Sequence, residues 1–345
     1  MNSFEPGFSP YYGPADGLSR PVRPWARAIA GTLVRMACRV EVQGEENLAG
    51  QGGAVYCPNH PTGLDPLVVQ GLAPGDLRTM AAVEVFRRRS EAALAEAMGA
   101  FPVNRGQPSE VTKQHCVDLL RDGKGLLIFP EGGAPERPGQ IGRVHRGAAA
   151  FAVKGGADRM VPIALHYRAD DRLRPGEYPA ALLAAAGVAA TVAALSASGH
   201  PALQVGASVA ALGLTGGVAL GAAASRLLPE RYGAAVRFGF GVAAGLTGLT
   251  AGCVAGSLVA LPGWASVALA GTAALAGAVG YIHRPLAQVR VGEPLKVAEF
   301  VQQHGPLHAI DALTVELHRR VGASMEPLSG VPYDDSLPKI KTRGR

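Results

Sequence analysis

Between residues 179 and 225 the chain carries no Asp, Glu, Lys or Arg, and between residues 238 and 282 it again carries none. His200 is the only titratable side chain of the first block. A hydrocarbon core of ~30 Å takes about 20 helical residues, so each block is long enough for two spans. Gly199-His200-Pro201 divides the first block into 180–198 and 202–220, and Leu261-Pro262-Gly263-Trp264 divides the second into 238–260 and 265–282. Arg168, Arg172 and Arg174 precede the first span; Arg226, Arg231 and Arg237 separate the second from the third; Arg284 follows the fourth. The two remaining turns carry neither Lys nor Arg, so the positive-inside rule puts both flanks and the middle loop in the cytoplasm. The expectation is an inserted all-α transmembrane region of about four spans over 179–284. The chain is then an integral membrane protein whose flanking domain lies on the cytoplasmic face. One helical hairpin with the rest interfacial, or a buried Ala-rich bundle, are the alternatives.

The flanks are different in kind. Residues 1–24 are rich in Pro, Gly and Tyr with no apolar core, and read as a disordered tail without a signal peptide. Residues 25–38 are mainly apolar with Arg27 and Arg35 interspersed, which suits either a membrane-interface helix or a core-packed amphipathic one. The net charge of +6 comes without an aromatic-rich basic motif, so nucleic acid is not an expected partner. Cys38, Cys57, Cys116 and Cys253 lie far apart, with no CxxC pair; they read as reduced thiols, with neither a disulfide nor a metal site. Residues 326–345 read as a mobile basic tail whose Lys339, Lys341, Arg343 and Arg345 are solvated or touch anionic lipid.

Between these segments, strand-turn-helix units repeat. The apolar run 53–57 reads as a buried strand, and Asn59-His60-Pro61-Thr62-Gly63-Leu64-Asp65 follows it. Pro61 and Gly63 disfavour a helix there, while Pro66 suits a first helical position with Asp65 as N-cap. On such a turn Asp65 can reach back to one ring nitrogen of His60 and leave the other to take a proton. In the plainer reading Asp65 only caps a helix. Further on, strands are expected over 39–44, 77–83, 125–129, 160–166 and 288–291. Helices are expected over 65–73, 90–98, 109–120 and up to Lys154, and over 297–321 with a break at Gly305-Pro306. Arg105, just past an apolar strand, suits a planar donor to phosphate. Pro130-Glu131-Gly132-Gly133 is a tight turn with a carboxylate at its mouth, whose glycines allow close approach and whose N–H groups suit an oxyanion. Arg143 and Arg146 flank a helix N-terminus, a favourable place for an anion. Together these units indicate an α/β fold, a sheet flanked by helices. The domain is split into residues 25–178 and 285–325 around the insertion.

Four of these runs, in order, resemble the motifs of the glycerophospholipid acyltransferases, typified by 1-acylglycerol-3-phosphate acyltransferase. Asn59-His60-Pro61-Thr62-Gly63-Leu64-Asp65 is similar to the family's NHxxxxD motif, and Phe101-Pro102-Val103-Asn104-Arg105 to its phosphate-binding block. Phe129-Pro130-Glu131-Gly132 is similar to its FPEG motif, and Val161-Pro162-Ile163-Ala164 to its fourth block. The resemblance implies transfer of an acyl group from an acyl thioester, acyl-CoA or acyl-carrier protein, to a glycerol hydroxyl with no further cofactor. It implies His60 as general base oriented by Asp65, Arg105 on the acceptor's phosphate, Glu131 and Gly132 holding the acceptor, and Arg146 adding positive charge. The implied partners are a lysophospholipid or glycerol-phosphate acceptor, the acyl donor and the lipid bilayer, with lysophosphatidate the leading acceptor. A non-catalytic lipid-binding protein on the same fold is the alternative, and the presence of both His60 and Asp65 favours the enzyme. One departure bears on the acceptor: where the family often continues with a Thr-Arg-Ser-like run, this chain has Gly133-Ala134-Pro135-Glu136.

Overall fold

The structure is a computed structural model that describes residues 8–9, 13–14, 22, 24–50, 52–73, 75–87, 89–104, 108–133, 139–168, 285–336 and 340–341. The insertion expected over 179–284 lies outside the described residues. Among the described residues, no helix is long and apolar enough to cross a membrane. The chain divides into two compact units: Met1–Val34, Glu41–His166 and Gln288–Arg345 form the first, and Arg35–Val40 and Tyr167–Ala287 the second. The first carries every site residue named below.

In the segment expected to be a disordered tail, β1 (Phe8–Ser9) pairs antiparallel with β2 (Gly13–Pro14). Helix α1 (Pro24–Ala37) follows. Its buried Ala26 and Ala30 pack on Met98, Leu67 and Leu94, so part of this helix is a core-packed amphipathic element. Next come β3 (Arg39–Gln43), β4 (Ala54–Pro58), α2 (Asp65–Leu72), β5 (Leu77–Ala82), α3 (Arg89–Ala97), β6 (Ala100–Val103) and α4 (Glu110–Arg121). The chain continues through β7 (Gly125–Leu127), α5 (Gly147–Gly155), β8 (Arg159–Arg168), β9 (Leu286–Val291), β10 (Leu295–Lys296) and α6 (Val297–Ser329). Ser109 caps α4, its hydroxyl accepting from the Thr112 N–H at 3.2 Å.

Strands β3 to β10 form one sheet in the order β3-β9-β8-β4-β7-β5-β6, with β10 antiparallel to β8. β4 is parallel to both β7 and β8, and β5 is parallel to both β6 and β7. All five residues of β4 are buried, as a strand covered on both faces must be. Val55 and Cys57, which share one face by alternation, join Leu126, Met160 and Ala164 under Leu119 and Leu120 of α4, Phe151 of α5, and Leu313 and Leu317 of α6. The chain leaves this sheet along β8 and re-enters it along β9, beside β8, which is the return that the sequence predicted for residues 288–291.

Two sequence expectations fail at the C-terminal side. Helix α6 runs to Ser329, beyond the expected end at 321, although it does break at Gly305, whose φ of 71° is not helical. In the segment expected as a mobile tail, the described residues 326–336 and 340–341 are packed. The Tyr333 ring lies so close to Gly322 that a Cβ there would meet it at 2.2 Å, and the Tyr333 hydroxyl lies 3.0 Å from His318 Nδ1. Ile340 then bridges Val144, and the Lys341 N–H donates to the Val144 carbonyl at 2.8 Å. Polar composition suggested solvation, whereas one aromatic ring and a backbone bridge hold these residues against the domain.

Candidate active site

Parallel pairing sets Tyr56 of β4 opposite Leu127 of β7, and Pro58 opposite Ile163 of β8, so the carboxyl ends of these strands come together. Ligands of open α/β sheets gather beyond such ends. The turn after β4 is fastened first by Asn59, which is buried. Its side-chain amide donates to the Leu165 carbonyl at 2.9 Å and accepts from the Leu165 N–H at 2.7 Å, while its own N–H donates to the Ile163 carbonyl at 3.3 Å. This clip continues the β4–β8 ladder past Pro58 and delivers the next residue, His60, to the mouth of the sheet.

His60 Nδ1 lies 2.8 Å from Asp65 Oδ2, with the histidine side chain 27% exposed and the aspartate 0%. A carboxylate can only accept, so this bond puts the ring proton on Nδ1 and leaves a lone pair on Nε2. The ring also stacks on Phe129, the centroids 4.1 Å apart. Asp65 is not an N-cap as its sequence position suggested: the cap residue is Leu64, and Asp65 is already inside α2. Its carboxylate turns back instead to Thr62, taking the Thr62 N–H on Oδ2 at 2.8 Å and the Thr62 hydroxyl on Oδ1 at 2.9 Å. A buried charge needs such donors, and here the loop provides them before the histidine adds another.

Glu131 was expected at the mouth of its turn. It is buried, and both oxygens face backbone: Oε1 accepts from the His60 N–H at 3.1 Å and Oε2 from the Gly142 N–H at 2.9 Å. Burial pushes its carboxyl above the usual glutamate range, outweighing the two N–H donors and the nearby His60 and Lys341 charges that favour ionisation. Glu131 thus ties the turn after β7 to the histidine. Gly132 has φ of +70°, and a Cβ there would come within 2.9 Å of the His145 ring, so only glycine fits without strain. Its N–H donates to the Phe129 carbonyl at 3.0 Å, which closes the turn and withdraws that group from the oxyanion role expected of it.

The expected cations divide. Arg105 lies outside the described residues, past β6. Arg146 Nε is 2.5 Å from Asp311 Oδ1 of α6, both groups about half exposed, so the charge expected at the N-terminus of α5 is matched by a carboxylate. Lys341, expected in a tail, donates instead from Nζ to the Glu131 carbonyl at 2.6 Å. Cys57 is fully buried, and burial pushes its thiol far above the usual range, so it offers no thiolate beside His60.

Asn59, Thr62, Phe129, His145 and Lys341 were not singled out as site residues from the sequence. The first three lie inside the motif runs, where an amide, a hydroxyl and a ring at fixed offsets from His60 and Glu131 were a usable signal. Lys341 contacts a residue 210 positions away, and nothing local marks it.

Residues 39–166 match the model of the Acyltransferase family. Over 126 residues the chain is 30% identical to a 1-acyl-sn-glycerol-3-phosphate acyltransferase of Bacillus subtilis (strain 168), a match covering 36% of this chain and 61% of that protein. A crystal structure of a 1-acyl-sn-glycerophosphate (LPA) acyltransferase from Thermotoga maritima shows a partial likeness, with 17% identity and a TM-score of 0.33 over 41% of this chain and 56% of that one.

Proposed function

We propose that this chain, whose residues 39–166 match the model of the Acyltransferase family, moves a fatty acyl group from an acyl thioester to the hydroxyl of lysophosphatidate, giving phosphatidate. The observation that carries this reading is the His60–Asp65 pair, 2.8 Å apart, with the carboxylate buried and doubly held by Thr62.

Nε2 of His60 takes the proton of the acceptor hydroxyl as its oxygen attacks the thioester carbonyl. The imidazolium that forms is balanced by the Asp65 carboxylate. When the carbon–sulfur bond breaks, the imidazolium returns the proton to the departing thiolate, so no acyl-enzyme is required and Cys57 has no chemical role. Arg105 is assigned to the acceptor's phosphate on the strength of the motif alone. Acyl-CoA and acyl-carrier protein both supply the required thioester, and glycerol 3-phosphate or another lysolipid supplies an equivalent hydroxyl. Membrane attachment through residues 179–284, with the catalytic domain cytoplasmic, is supported by the charge-free blocks, the arginine bias and the return of β9 beside β8.

The test is product formation by the purified protein from lysophosphatidate and labelled acyl-CoA or acyl-carrier protein, wild type beside His60→Ala. The wild type should turn over and the variant should fall to background. Equal rates would refute the mechanism. No turnover by either protein across several acceptors and both donors would favour a lipid-binding protein on this fold.

A further inference from the structure

Contacts from different directions hold His60. Glu131 Oε1 fixes its backbone through the N–H at 3.1 Å, and Asp65 Oδ2 fixes one point of the ring, Nδ1, at 2.8 Å. A bond to one point of a ring edge leaves the plane free to tilt about that point. Tilting swings Nε2, the atom that takes the proton. The Phe129 ring meets the imidazole on its face instead, the centroids 4.1 Å apart and the planes 29° from parallel. A stacked face opposes tilt, because one edge of the imidazole would have to press into the phenyl ring. Phe129 can act in this way because its own backbone is pinned on both sides. The Ile128 N–H donates to the Tyr56 carbonyl at 3.0 Å, carrying the β4–β7 pairing past the end of β7. The Phe129 carbonyl accepts from the Gly132 N–H at 3.0 Å, and the Pro130 carbonyl accepts from the His145 N–H at 2.8 Å. The turn after β7 therefore delivers to His60, from one braced frame, a carboxylate for its backbone and an aromatic face for its ring.

We propose that Phe129 is a positioning residue for the general base: its ring holds the plane of the His60 imidazole so that Nε2 faces the acceptor hydroxyl, and its π face supports the imidazolium once the proton arrives. The proposal rests on the acyltransferase reading. Proton transfer depends on the alignment of base and hydroxyl, so a base that is free to tilt loses rate. An aromatic face also attracts a cation within about 6 Å of its centroid, and the separation of 4.1 Å lies well inside that range. The imidazole carries no charge while the substrates bind and gains it as the acceptor oxygen attacks. The attraction therefore favours the transition state over the bound ground state and acts on kcat rather than on KM.

The full-length protein is assayed as wild type, Phe129→Leu and Phe129→Tyr, well below the lowest thermal midpoint among them. Lysophosphatidate and whichever thioester the wild type uses, acyl-CoA or acyl-carrier protein, are varied in turn. Phe129→Leu stays apolar but has no aromatic face, and is expected to lower kcat about tenfold with both KM values within about twofold of wild type. Phe129→Tyr keeps the face and is expected to hold kcat within about threefold of wild type. A kcat for Phe129→Leu within about twofold of wild type overturns the proposal. So does a rise in either KM that equals or exceeds the fall in kcat, which makes Phe129 a wall of a substrate pocket. An equal loss of kcat in both variants overturns it too, because the aromatic face is then not the property that matters. If Phe129→Leu does not fold, Phe129→Met, flexible enough to fill the same space, takes its place with the same expectation. A wild type that turns over neither lysophosphatidate nor glycerol 3-phosphate with either donor removes the acyltransferase premise, and the proposal with it, before any variant is made.

Discussion

Asp65→Asn is the most informative single change, because the loop around it fixes which way the new amide must point. The Thr62 N–H can only donate, and it shares Oδ2 with His60 Nδ1. The asparagine oxygen therefore has to occupy the Oδ2 position, and its NH2 the Oδ1 position, opposite the Thr62 hydroxyl. That hydroxyl already accepts from the Leu64 N–H at 3.1 Å, and its second lone pair can take the amide proton. The substitution thus keeps the histidine tautomer and removes only the charge. Opposite charges 2.8 Å apart attract by about 6 kcal/mol at an effective dielectric of about 20. A retained neutral hydrogen bond returns about 1 kcal/mol. With each 1.36 kcal/mol worth a factor of about ten, kcat should fall by about 10³–10⁴. The assay is kcat at saturating lysophosphatidate and acyl-CoA, with the thermal midpoint showing that the variant folds and His60→Ala giving the background. A loss below about tenfold in a folded variant refutes the reasoning, since the buried carboxylate would then not be stabilising an imidazolium. A loss confined to KM refutes it equally.

Asn59→Ala leaves the N–H and carbonyl of Leu165 without their buried partners, so urea unfolding at constant m should show a loss of about 2–4 kcal/mol; a loss under about 0.5 kcal/mol would mean that the clip is dispensable. Glu131 gives a pH signature. Its folded pKa is raised above the ordinary 4.5, so the stability owed to its protonated form is fully present below about that pH and is lost as pH rises through the folded value. Glu131→Gln has no carboxyl to titrate there, and its stability plotted against pH should lack the wild type's falling slope; identical slopes would show that burial does not raise the carboxyl's pKa.

What the sequence made legible was short-range and apolar. The buried run at residues 53–57, the interior of β8 and the helix capped by Ser109 were readable because burial on both faces, or one hydroxyl at a helix start, leaves a local signature. The His60–Asp65 contact was readable for the same reason, the two residues being five apart on one turn. Even there the reading erred on Asp65, because a carboxylate beside a helix start has two local uses. The sequence does not say whether the helix N–H groups or the Thr62 N–H and hydroxyl will claim it; α2 begins at Asp65 itself, and Thr62 wins.

The charge of the site was illegible because it is decided by residues far away along the chain. Arg146 at the N-terminus of α5 satisfied every local criterion for an anion site, but α6 crosses with Asp311, and a carboxylate 2.5 Å from the guanidinium meets that charge before any ligand arrives. Lys341 satisfied none, yet the packing of Tyr333 against Gly322 and His318 and the bridge from Ile340 to Val144 bring it onto the Glu131 carbonyl. Both contacts depend on α6 and the segment after it, which rejoin the domain only beyond the long apolar blocks. Local pattern therefore assigns the proton chemistry of this site, which lies within one turn. How the described residues between 288 and 341 close back over residues 41–166 decides which charged side chains stand beside the site, and no short-range pattern carries that.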